Sequence, residues 1–140
     1  MRGLLADANC EGHVELLSKL LISKEWEELW KETQLVIETF DSLKLDRKTP
    51  DKALWQKCQA LELVLITQNR KDEGPESLGA AIRLLNQPDS LPVITLADGD
   101  EVFRSRAYAA HVVEDLMDYL LYMENFLGTG RLWVPRGSIP

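Results

Sequence analysis

The sequence predicts an α/β fold of three layers: a mostly parallel sheet of about four to five strands with helices on both faces. Two observations carry this. Short apolar runs alternate with stretches whose apolar residues recur at 3, 4 and 7 positions, so strand-like and helix-like segments follow one another. The runs Leu63-Val64-Leu65-Ile66-Thr67 and Pro92-Val93-Ile94-Thr95-Leu96 are apolar nearly throughout. Strands buried on both faces read that way, whereas a half-exposed strand alternates.

Each element has its own signal. Gly3 to Asp7 reads as the first strand, and Gly12 to Ile22 as a helix with Val14, Leu16, Leu17, Leu20 and Leu21 on one stripe. Lys24 to Lys31, with Trp26, Leu29 and Trp30 at helical spacing, is a short second helix or an extension of the first. Gln34 to Phe40 is rich in β-formers and predicts the second strand, followed by a polar loop from Asp41 to Lys48. Thr49 is an N-cap candidate with Pro50 at the first helical position, opening a helix with Ala53, Leu54, Cys58 and Leu61 inward. Glu62 to Thr67 is the third strand. Glu76 to Asn86 is a helix with Leu78, Ala81, Ile82 and Leu85 inward, and Pro92 to Leu96 is the fourth strand. Val102 to Leu127 predicts one long helix with Leu116, Tyr119, Leu120 and Met123 on its buried stripe, stopped by Gly128 and Gly130. Arg131 to Pro135 is the last strand, so residues 1–135 form a single domain and 136–140 a tail. Val134-Pro135-Arg136-Gly137-Ser138 resembles a protease-recognition sequence, and no function is placed on it.

Composition narrows the function. The 140 residues are 45% hydrophobic and 28% charged, which suits one globular domain with a real core. No apolar run reaches the roughly 18 residues of a membrane span, and Asp7 interrupts the N-terminal run too early for a signal peptide. A cytoplasmic location is expected. Cys10 and Cys58 read as free thiols of a reducing compartment. The net charge of −7 argues against a broad, non-specific nucleic-acid binder. It is compatible with a nuclease, whose carboxylates are acidic by construction and are offset by metal.

Acidic residues mark where chemistry would sit. Asp7 closes the first strand, Asp51 opens a helix, and Asn69-Arg70-Lys71-Asp72-Glu73 follows the third strand. Ligands of an open α/β sheet bind outside the carboxyl ends of its strands, and carboxylate oxygens suit Mg²⁺ or Mn²⁺. Asp7, Asp51 and Asp72 are therefore the candidate catalytic and metal-holding residues, with Asn9, Asn69 and Arg70 as candidate substrate contacts. Plain alternatives stand beside them: a solvated strand end for Asp7, a helix N-cap for Asn9, a first-turn charge welcomed by the helix dipole for Asp51, and a solvated loop for residues 69–72. Asp98 and Asp100 flank Gly99 and read as turn residues. Cys10 with His13 is too slight a pattern for a nucleophile. Trp26, Trp30 and Trp55 read as core or interface anchors rather than base-stacking platforms. No serine-hydrolase elbow, Walker loop or dinucleotide glycine motif occurs.

Over its first half the chain resembles the PIN-like domains, in particular the small bacterial group that begins with strand-Asp-x-Asn. Leu5-Ala6-Asp7-Ala8-Asn9 matches that opening, Val36 to Leu45 the second strand and loop, Thr49 to Leu54 the helix-opening Asp, and Leu63 to Thr67 the strand that leads into Thr-x-Asp-x-Asp. The chain departs from the pattern at Asn69 and Lys71, which stand where the group has acids. The resemblance implies a metal-dependent ribonuclease of the kind found among toxin–antitoxin toxins, with Mg²⁺ or Mn²⁺ and RNA as substrate. The departure implies an alternative, a catalytically degraded domain that binds a partner protein or a second copy of itself.

Overall fold

The computed structural model describes residues 1–137. It contains five parallel strands: β1 Gly3–Ala6, β2 Val36–Glu38, β3 Leu63–Thr67, β4 Val93–Leu96 and β5 Arg131–Val134, in the order β2-β1-β3-β4-β5. Six α-helices cover them: α1 Glu11–Leu21, α2 Glu27–Thr33, α3 Asp51–Leu61, α4 Leu78–Leu85, α5 Gly99–Arg104 and α6 Arg106–Leu121. The α/β class, the parallel sheet and the two helical layers are those expected.

The core lies in two halves because successive strand residues point to opposite faces. Leu4, Ala6, Val64, Ile66, Ile94 and Leu96 meet Val14, Leu17 and Leu21 of α1 and Val112, Val113, Leu116 and Met117 of α6. Leu5, Leu63, Leu65 and Val93 meet Leu54, Trp55 and Cys58 of α3 and Leu78, Ala81 and Ile82 of α4. Trp55 is thus a core anchor, and Trp26 and Trp30 pack partly buried against the first half. The crossover β4→β5 runs over the face that α1 covers while moving across the sheet in the other direction. Its hand is therefore opposite to that of the other three connections, against the usual preference for one hand.

Several boundaries differ from expectation, each for a local reason. The long helix is broken at Ser105, whose extended backbone (φ −130°, ψ 115°) ends α5 and whose hydroxyl accepts the Tyr108 N–H to cap α6. α6 stops at Leu121, and a 3₁₀ turn, Met123–Asn125, follows it. The second strand shrinks to Val36–Glu38 because Gln34 takes a left-handed conformation (φ 56°) that closes α2. Pro50, not Thr49, holds the cap position of α3; the Thr49 hydroxyl donates to the Asp46 carbonyl instead. Asn9 does not cap α1. It lies in a 3₁₀ turn, Ala8–Cys10, and its side chain reaches across to residues 67 and 68. Asp98 is more than a turn residue, since its carboxylate accepts the Glu101 N–H and caps α5. α4 starts after Ser77, whose hydroxyl accepts from the Ala80 N–H. At the C-terminus, the Arg136 N–H donates to Asp115 at 2.7 Å and its guanidinium lies 4.5 Å over the Tyr119 ring, so this residue packs on α6. The rest of the expected tail, residues 138–140, lies outside the described residues.

Candidate active site

Strand order fixes the place. From β1 the chain crosses to β2 on one side, and β3, on the other side of β1, leads on to β4. A crevice opens at the carboxyl ends of strands where the order reverses in this way. Asp7 follows β1 directly and Thr67 ends β3, so both stand at that point. The Asp7 N–H continues the ladder by donating to the Ile66 carbonyl at 2.9 Å.

Thr67 is fully buried and organises the crevice. Its hydroxyl donates to an Asp7 carboxylate oxygen at 2.7 Å and accepts the Asn69 N–H at 2.9 Å. The Asn69 side chain extends the chain of contacts. Its Oδ1 accepts the Lys71 N–H at 2.9 Å, which fixes the amide orientation, and its Nδ2 donates to Asp51 at 3.0 Å. Asp51 is the first residue of α3. Asp7 and Asp51 are thus joined through Thr67 and Asn69. Asn9 clips the two strand ends together: its Oδ1 accepts the Gln68 N–H and its carbonyl accepts Gln68 Nε2 at 2.8 Å.

Electrostatics sets Asp7 apart. The side chain sits in a residue only 9% exposed, and burial pushes its pKa upward. The Thr67 hydroxyl and the Ala8 N–H oppose that rise, whereas the charges of Asp51 and Glu11 add to it. Cys10 offers nothing nucleophilic: its thiol donates to the Ile66 carbonyl and burial pushes it up to about 12. His13 packs at a tilt against Phe103, with ring centroids 4.3 Å apart, and its Nε2 lies beside Gly99 near the Gln68 side chain.

The third corner differs from the acidic one expected. Asp72 is exposed, its carboxylate is 3.7 Å from Arg131 Nη2, and its carbonyl accepts from Arg83. Arg70 lies 5.6 Å over the Trp133 ring and is exposed to solvent with Lys71. Arg131, which the sequence reading did not single out, donates Nη1 to the Asn69 carbonyl and to the Thr95 hydroxyl, both at 2.7 Å. The signal for it was faint, a lone basic residue opening an otherwise apolar strand. Thr67 and Thr95 had a clearer one, a polar residue in a buried run.

These residues can be tested against a hard dication. Asp7 and Asp51 offer carboxylate oxygens, and Mg²⁺ commonly takes one or two of these and completes its shell with water and phosphate. They fit. The third corner adds no ligand, because Asn69 turns an N–H donor toward Asp51 and Asp72 faces Arg131. Among the described residues, no three Asp, Glu, His or Cys side chains gather at metal-holding distance. No helix among them is long and apolar enough to cross a membrane. No family model, curated protein or solved structure matches the chain.

Proposed function

We propose that the crevice is the active site of a metal-dependent nuclease acting on RNA, as the PIN-like resemblance implies. The observation that supports this most is Asp7, a buried carboxylate with a raised pKa at the switch point of the sheet, close enough to Asp51 to feel its charge. A group destabilised in this way gains most from a cation, and such groups concentrate at functional sites. Asp7 and Asp51 would hold Mg²⁺ or Mn²⁺, which when bound polarises a phosphate and lowers the pKa of water. The chain's own residues do the rest. Thr67 fixes the Asp7 carboxylate by donating a hydrogen bond to it, Asn9 holds the two strand ends together, and Arg70 and Lys71 provide exposed positive charge for a phosphodiester backbone.

The test is calorimetric titration with Mn²⁺ alongside cleavage of a single-stranded RNA. Wild type is expected to bind and cut, and Asp7→Asn to lose both while keeping its circular dichroism spectrum. Metal-dependent cleavage that survives Asp7→Asn would refute the assignment.

One observation favours a second reading, a degraded domain that works through protein contacts. The Asn69 amide occupies the Asp51 carboxylate where the family has an acid. On that reading wild type neither binds Mn²⁺ nor cuts RNA, and Asn69→Asp does not bind Mn²⁺ either.

A further inference from the structure

We propose that Arg131 is a resident cation of the acidic edge, and that its guanidinium sets how strongly Asp7 and Asp51 take up a divalent ion. The inference rests on the metal-site reading above. Arg131 opens β5 directly after Gly130, and its side chain reaches the loop that follows β3. Its side chain is 12% exposed, whereas the arginines of the other ion pairs expose 43% or more. Burying a guanidinium is costly unless its charge meets an opposite one. Its nearest carboxylate, Asp72, is offset at 3.7 Å. Nη2 is buried and makes no hydrogen bond. The charge is therefore incompletely matched by its immediate contacts.

Asn69 links Arg131 to the crevice. Its carbonyl accepts from Arg131, while its side-chain N–H donates to Asp51. A neutral amide N–H thus faces Asp51 where a third acid would otherwise draw in a metal ion, and the Arg131 guanidinium is bound to the carbonyl of the same residue. The long-range attraction between Asp51 and the Arg131 guanidinium agrees with this arrangement. A positive charge fixed beside a dication site repels the ion, so the site binds weakly while Arg131 is in place. Arg131 is a positioning and charge-setting residue and touches no reacting atom.

The experiment is Mn²⁺ titration calorimetry on wild type, Arg131→Lys and Arg131→Gln, each checked by thermal unfolding. Arg131→Gln is expected to bind Mn²⁺ on the order of tenfold more tightly than wild type, because one unit of repulsion has gone. Arg131→Lys keeps the charge and should bind as wild type does. A merely structural role predicts no gain and treats Lys and Gln alike. Asp51→Asn in the Arg131→Gln background should erase the gain, as coupled neighbours do in a double-mutant cycle. If Arg131→Gln does not fold, Arg131→Met removes the same charge and keeps the apolar stem. Binding by Arg131→Gln when wild type is silent supports the inference and overturns the nuclease reading. Binding by wild type with no gain in folded Arg131→Gln overturns the inference and leaves the nuclease reading standing. Silence in both proteins overturns both.

Discussion

Replacing Thr67 by Val removes one hydroxyl from a fully buried position and leaves the shape almost unchanged. That hydroxyl donates to Asp7 at 2.7 Å and accepts the Asn69 N–H at 2.9 Å. Without it, a buried carboxylate oxygen and a part-buried backbone N–H each lose a partner. Stranding a buried polar group costs about 1–3 kcal/mol, more when it is charged. The new methyl recovers about 0.8 kcal/mol of transfer energy, so the net loss should be about 2–4 kcal/mol. A chain of 140 residues unfolds with an entropy of about 0.3 kcal/mol per kelvin, so Tm should fall by roughly 7–14 °C. The sign with pH follows from the Thr67 bond, which favours the ionised form of Asp7. Its contribution is present while Asp7 is charged and is lost as pH falls through the raised Asp7 pKa. Calorimetric or dichroic melts of wild type and Thr67→Val should therefore draw closer as the solution is acidified, leaving only the share of the loss that belongs to the Asn69 N–H. A loss below about 0.5 kcal/mol at neutral pH, within the range of an ordinary surface substitution, or a loss that does not shrink in acid, would refute the role given to this hydroxyl.

Three further outcomes are expected. Asp7→Asn should be neutral or stabilising at neutral pH without metal. Burial raises the Asp7 pKa, so its ionised form weakens the fold as pH rises through that value, and the benefit of Asn should disappear below the ordinary carboxylate range; melts at two pH values check this. Leu120→Ala should cost about 2–5 kcal/mol in denaturant unfolding, because Leu120 is 5% exposed within the half of the core that α6 shares with the sheet. Cys10 and Cys58, both pushed up to about 12 by burial, should resist a thiol reagent at about pH 8 until the protein is unfolded, when both should react.

What the sequence alone determined was set by pattern. Apolar runs of strand length between helical stripes are enough to require a parallel sheet with both faces covered, and all five strands lie where those runs stand. The same reasoning put Asp7 and Asp51 on one edge, because strand ends and helix starts of such a sheet share a side. Element ends were less legible. Ser105 breaks an apolar helical stripe through its own backbone angle and a local hydrogen bond, and the periodicity of the stripe carries no trace of either. The third corner was decided only by tertiary structure. Asp72 and Asn69 lie within a few residues of each other, yet one side chain faces Arg131 and the other faces Asp51. Arg131 itself comes from a strand 62 residues beyond Asn69. Spacing along a chain governs which residues share a face of one element. Which charges meet across the sheet depends on strand order and on the reach of long side chains, and neither is written in local spacing.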